Sequence, residues 1–287
     1  TGFSELRYSG GIMNFQYYNL HGRVKSQDIS LIFPGWENEK ETVVVFSPHD
    51  DDAILGAGYI ILAALKNGGR VVVVIVCDGC AGYSSPEQKD TIVNIRRDET
   101  KDAYRHLGIK EQDVVRFDIP DFSAISYIGW KLSSGIEGTF KKTIPLLRKI
   151  GATRILVPNE YREHIDHLGV SWMGKFDGPQ AGDDILADWG TISRIKTFLE
   201  YSVWADFSPE DMILRGWMDS FIRANRAVKA TGDVEEKIFQ SIRKFKSQER
   251  VIASLVDSRR HRNSDGFCLE VYLEIDPRPF LDYRPYW

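Results

Sequence analysis

Cysteine is scarce in this 287-residue chain: Cys77, Cys80 and Cys268 are the whole supply. Three thiols do not make a disulfide framework, so the fold has to rest on its own core. Basic charge is not in excess either. Lys and Arg number 37 against 41 Asp and Glu, a formal net charge of −4, so the sequence lacks the footprint of a nucleic-acid or anionic-membrane binder. The longest apolar runs, around Val71–Val76 and Ile60–Leu65, fall far short of the roughly 20 residues a helical membrane span needs. Repeats, low-complexity tracts and Pro/Gly/Ser linkers are missing, which favours one large domain. The stretch from Thr1 has neither the basic nor the apolar region of a signal peptide, so the cytoplasm is the default expectation.

What the chain does have is 43% hydrophobic and 12% aromatic residues, enough for a sizeable core. The first two thirds alternate β-branched runs with helical periodicity. Residues 42–47 (TVVVFS) read as a buried strand, 53–67 as a helix closed by Gly68-Gly69, and 70–77 (RVVVVIVC) as a second strand. A helix at about 91–107, a strand near 113–118, a helix near 137–150 and a strand at 153–158 follow. Such alternation predicts an α/β fold of βαβ units with a mostly parallel sheet flanked by helices. Beyond residue 180 the pattern changes to a C-terminal elaboration. It has a strand-like 195–204, one long charged helix over 233–256 and a last strand at 267–275. Residues 1–40 show no clear period and are expected as an extension packed on the body, 41–287.

Open parallel sheets bind ligands beyond the carboxyl ends of their strands. His49 follows the first strand, Asp78 the second, Asp121 the third and the segment 159–167 the fourth, so these polar clusters should meet at one edge. Ser47-Pro48-His49-Asp50-Asp51-Asp52 sets three acids in a row behind a histidine, and Glu163-His164-Ile165-Asp166-His167 sets two histidines three apart. Two imidazoles and a carboxylate, with a spare carboxylate beside them, suit a three-ligand catalytic zinc site with room for water. A dication would also explain why adjacent acids are tolerated. The plainer reading makes Asp50–Asp52 a helix cap and His164–His167 an exposed helix start. Both motifs falling at the same sheet edge favour the metal. Cys77-Asp78-Gly79-Cys80 has redox spacing, but continues into loop rather than a helix start.

These residues carry a resemblance. Ser47–Asp52 resembles the (A/P)-H-P-D-D-E signature of the LmbE-like, or PIG-L-like, zinc-dependent N-deacetylases, and His164-Ile165-Asp166-His167 resembles that family's H-P-D-H. Arg96-x-x-Glu99, leading to Leu107-Gly108, resembles its R-x-x-E helix. Pro120-Asp121 falls at its third strand end, and Lys237 with Lys246-Ser247-Gln248 resembles its late helix and S-Q pair. Asp50 stands in place of a Pro, Ala53 of a Glu and Ile165 of the second Pro, while Cys77–Cys80 replaces a T-x-G-E-like turn. The resemblance implies an α/β, Rossmann-like sheet and one zinc per chain, or iron or cobalt, held by His49, Asp52 and His167. Asp51 is then the general base, with His164 stabilising the oxyanion and Asp166 orienting it. Arg96 and Asp121 are implied to grip sugar hydroxyls, and Glu99 to anchor the Arg96 helix. The implied substrate is a small molecule or glycan bearing an N-acyl, mainly N-acetyl, amino sugar, with no nucleic-acid partner and self-association allowed. The rival readings are a two-metal phosphoesterase, a non-catalytic carbohydrate binder and, last, a thiol redox protein. Loops 78–90, 119–136 and 176–192 are expected to line the substrate mouth.

Overall fold

The computed structural model describes residues 14–161, 163–204, 224–261, 263–264 and 267–278. Three strands follow first, β1 (Phe15–Asn19), β2 (Val24–Ser26) and β3 (Thr42–Ser47). The α/β run is α1 (Asp52–Lys66), β4 (Arg70–Cys77), α2 (Ile92–Leu107), β5 (Val114–Ile119), α3 (Thr139–Ile150), β6 (Arg154–Pro158) and α4 (Ile165–Gln180). The remaining elements are β7 (Thr197–Tyr201), β8 (Arg226–Thr231), α5 (Gly232–Ile242), α6 (Glu249–His261), β9 (Asn263–Ser264) and β10 (Phe267–Ile275).

All described strands join one sheet, in the order β2-β1-β8-β10-β7-β6-β3-β4-β5, with β9 pairing β10. The sheet is mixed, which corrects the mostly parallel expectation. β7, β6, β3, β4 and β5 are parallel, whereas β10, β8, β1 and β2 pair antiparallel. Residues 14–26 therefore supply sheet strands, while residues 1–13 lie outside the described part. Along β3 and β4 alternate valines serve two cores: Val43, Val45, Val71 and Val73 pack with α1, and Val44, Val72 and Val74 pack on the other face. Burial on both faces explains why these strands are apolar at nearly every position.

Two more segments depart from periodicity. The helix expected over 233–256 is two helices, because Phe245 is buried in the core and a single 3₁₀ turn, Lys246–Gln248, intervenes. α1 is broken at Ala57, with φ −130° and ψ 17°. Among the described residues no helix is long and apolar enough to cross a membrane.

The chain order decides where a ligand can enter. From β3 it moves outward through β4 to β5, then returns to place β6 on the other side of β3. The loops leaving β3 and β6 diverge at this switch point, opening a crevice at the strands' carboxyl ends. His49–Asp52 leaves β3, and Glu163–His167 follows β6.

Candidate metal centre

Tight local bonding turns the chain after β3. The Ser47 hydroxyl donates to the His49 carbonyl (2.5 Å) and accepts from the Ala53 amide (3.0 Å), folding His49–Asp51 into a tight loop that leads into α1. Asp52 Oδ2 accepts from the His49 backbone N–H (2.8 Å) and lies 3.0 Å from its Nδ1. His167 Nε2 is 3.1 Å from the same oxygen. Donor atoms of His49, Asp52 and His167 thus cluster within 4.8 Å of one another.

This set fits a zinc ion. Ligand atoms about 2.0–2.1 Å from a tetrahedral zinc stand roughly 3.3 Å apart, close to the spacing here. His167 Nε2 is fully buried, and despite its nearness to Asp52 it lacks hydrogen-bond alignment. The ring's other nitrogen is 3.1 Å from Glu163 Oε2, a carboxylate that also accepts the amides of Val203 and Trp204. A carboxylate behind a histidine is the usual outer partner of a metal-bound imidazole. Burial opposes charge on both rings, but Asp166 and Asp52 raise the pKa of His49 to about 10, and Asp52 and Glu163 raise that of His167 to about 9. Burial also opposes charge on Asp52, yet His167 and His49 hold its carboxyl well below the usual range. A metal would replace the protons that these imidazoles otherwise keep.

The three consecutive acids have three environments. Asp50 is fully buried and faces away: it accepts from Arg96 Nε (2.9 Å), Thr100 Oγ1 (2.6 Å) and Arg116 Nη1. Asp51 sits at the N-cap of α1 without making a capping bond. Its nearest cation is Arg96 Nη2 at 3.8 Å, and burial pushes its pKa up to about 6. Asp52 faces the histidines.

His164 caps α4, its Nδ1 accepting the Asp166 amide at 3.2 Å. The ring proton therefore belongs on Nε2, and burial, followed by the charge of His49, lowers the pKa so that the ring stays neutral. The Asp166 carboxylate turns elsewhere: it accepts from Phe122 N–H (2.7 Å) and Ala124 N–H (3.1 Å) and lies 3.3 Å from His49 Nε2. It is 3.5 Å from His164 Nδ1, too far to bond. The geometry thus makes Asp166 a partner of His49.

His49, Asp51, Asp52, Arg96, Asp121 and His164 border one cavity of about 190 Å³, and His167 lies beneath it. Arg96 is buried and pinned by Asp50 and by Gln248 Oε1 (3.1 Å), and Asp121 accepts the amides of Gly79 and Ala81, both at 2.9 Å. Both therefore build the cavity wall. Gly79 (φ +80°) and Gly82 leave room for Arg96, since a Cβ would approach it to 2.8 and 2.3 Å. Glu99 accepts Ser247 N–H (2.8 Å) and Oγ–H (2.7 Å), tying α2 to the turn before α6. His49, Cys77, Asp121 and Asp166 form a second group of close donor atoms. In that group the two carboxylates are already taken by loop amides, and burial raises the Cys77 thiol pKa. All three cysteines are free.

Loops 78–90 and 119–136 contribute Ala81, Gly82, Tyr83, Asp121 and Phe122 to the lining; 176–192 contributes nothing among the described residues. Its place is taken by Trp204 and by Val251, Ile252 and Leu255 of α6. No sequence signal marked these residues, or Glu163 as the carboxylate behind His167. Gln248 stood out only through the S-Q pair.

Residues 44–174 match the family model described as PIG-L: GlcNAc-PI de-N-acetylase. No curated protein matches the chain. Among solved structures it is similar to the N,N'-diacetylchitobiose deacetylase from Pyrococcus horikoshii, at 17% identity and TM-score 0.63, covering 83% of this chain and 84% of that one. The conserved protein TT1542 from Thermus thermophilus follows, at 18% identity and TM-score 0.61 over 84% and 97%. GalB, the 4-carboxy-2-hydroxymuconate hydratase from Pseudomonas putida, has 17% identity and TM-score 0.56 over 84% and 99%. The segment that matches the PIG-L family model, residues 44–174, holds both histidine–aspartate motifs and the sheet edge that joins them.

Proposed function

We propose that this protein is a metal-dependent hydrolase that removes an N-acyl, chiefly N-acetyl, group from an amino-sugar substrate. The observation that carries the reading is the His49–Asp52–His167 donor set, two of its members buried, with Asp51 and His164 bordering the same cavity. Zinc bound there would lower the pKa of a coordinated water to about 7 and polarise the amide carbonyl. Asp51 takes the proton from the attacking water, and its raised pKa suits a base that must later give that proton up. As the water oxygen bonds to the carbonyl carbon, His164 donates its Nε2–H to the carbonyl oxygen. Asp51 then protonates the nitrogen as the C–N bond breaks, releasing a carboxylate and an amine. Asp166 holds His49, and Glu163 holds His167.

The assay is amine release from N-acetylglucosamine derivatives and chito-oligosaccharides by zinc-loaded protein, with Asp51→Asn as control. Release that the variant loses supports the reading; silence from protein shown to carry zinc sinks it. The similarity in fold to a hydratase supports a second reading, addition of water to a carbon–carbon double bond. Loss of ultraviolet absorbance from a conjugated unsaturated acid, with no amine released, would favour that reading.

A further inference from the structure

α1 is interrupted between the acids at its start and its main body. In an intact helix the Tyr59 amide would donate to the Leu55 carbonyl, four residues back. Here the Tyr59 amide donates to Glu270 Oε2 (2.8 Å), and the Leu55 carbonyl accepts from Arg259 Nη1 (2.8 Å). Arg259 Nη2 and Glu270 Oε1 are 2.6 Å apart. A buried ion pair thus spans the place of one ladder bond, and side-chain insertion of this kind is a known cause of sharp helix breaks. Gly56 and Gly58 flank Ala57 and let neighbours approach: a Cβ on Gly56 would come within 2.4 Å of Tyr201, and one on Gly58 within 2.5 Å of Ile238.

Further donors surround the pair, although Glu270 Oε1 itself has no aligned hydrogen bond. Arg259 also forks onto Glu235, with Nε–Oε1 and Nη2–Oε2 both at 2.8 Å, and the Tyr59 and Tyr272 hydroxyls donate to Glu235 and Glu270. Burying ionic groups is a weak source of stability, because desolvation cancels most of the attraction, so the arrangement calls for a geometric reason. That reason lies in what it joins. The turn before the break contains Asp52 and Leu55, which border the catalytic cavity, while Arg259 belongs to α6, which supplies the opposite wall. Along Glu249–Arg260 the fully buried anchors are Ile252 and Arg259.

We propose that Arg259 and Glu270 are positioning residues that lock the acid-bearing turn of α1 and the α6 wall into one unit, setting the orientation of Asp52 towards the two histidines. The consequence for metal binding rests on the function proposed above; the mechanical coupling does not.

The test compares Glu270→Gln, which keeps an oxygen for the Tyr59 amide but loses the charge, and Arg259→Lys, which loses the fork. The control is Arg148→Lys, a buried guanidinium that donates to carbonyls of the 180–186 segment, away from the cavity. Zinc affinity is measured by chelator competition, and hydrogen exchange over residues 52–56 is measured on metal-free protein. Both variants should bind zinc about 2–30-fold more weakly, the range for residues that act through a packed network without touching a ligand, and exchange faster at 52–56, with the control unchanged in both readouts. Zinc affinity and exchange equal to wild type, or an equal loss in the control, would overturn the proposal. If Arg259→Lys does not fold, Glu270→Gln decides alone. Should wild-type protein take up no zinc, the metal reading fails and exchange decides: acceleration confined to 52–56 sustains the coupling, and none refutes it.

Discussion

Two buried ionic clusters lie on either side of the α1 break, and they are built to opposite specifications. Around Arg259, two carboxylates face one guanidinium, two phenols and a backbone amide. Around Asp52, the partners are imidazoles, whose protons a metal can displace. The first cluster is closed by its own hydrogen bonds and ion pairs; the second holds protons that a metal could replace. Asp50 extends the contrast within three residues, for its arginines and threonine make it part of a closed network although its neighbours belong to the other kind.

The contrast is broken most severely at the Asp52 cluster. Asp52→Asn should abolish both zinc uptake and turnover, whereas Asp51→Asn should keep the metal and lose about 10²–10⁴-fold in kcat, measured by metal analysis beside the amine-release assay. Retained full activity in Asp51→Asn would remove it as the base. One position earlier the penalty should change kind. Asp50→Ala leaves Arg96 and Arg116 facing a void, so denaturant unfolding should report a loss of about 3–5 kcal/mol; a loss below about 1 kcal/mol would mean that the network is not closed.

Asp177 tests what a buried carboxyl does with neither kind of cationic partner. It lies beside the Thr139 and Thr143 hydroxyls, its Oδ2 has no aligned hydrogen bond, and burial pushes its pKa up to about 7. Unfolded, it would titrate near 3.8. The folded state therefore keeps a proton that the unfolded chain releases, so the residue's contribution is full below pH 3.8 and lost as pH rises to about 7. Asp177→Asn should be more stable than wild type at about pH 8 by on the order of 2–4 kcal/mol and nearly equal at about pH 4, by thermal melts at both values. An effect of similar size is expected from the metal itself. Zinc at about 100 times its Kd should add about 2.7 kcal/mol of stability, removable by chelation and restored by zinc.

Much of this was legible from residue order. The strands at 42–47 and 70–77 match the observed β3 and β4 bounds, because apolar β-branched runs buried on both faces leave no polar register to mislead. The convergence of the two histidine–aspartate motifs was legible, since each follows a strand whose place in a parallel sheet is readable, whereas the choice of Asp52 among three acids came only from the resemblance. The strand β8 was not marked at all, and the direction of β10 was not legible, because a half-buried strand carries the same alternation whether its neighbour runs parallel or antiparallel. The division of 233–256 was hidden for a related reason: helical period continues through the turn, and what ends the helix is burial of Phe245 together with the capture of Ser247 by Glu99 and Gln248 by Arg96.

Residue order by itself determined which segments bury, that two histidine–aspartate motifs sit at neighbouring strand ends, and hence where donor atoms that could hold a metal gather. Only the tertiary structure decided what each acid does. Asp50, Asp51 and Asp52 are chemically identical neighbours, and their roles diverge because Arg96, Arg116 and His167 arrive from 46, 66 and 115 residues away in the chain. The charge state and partner of a buried carboxylate depend on which cations the fold delivers to it, and that delivery is not a local property of the sequence.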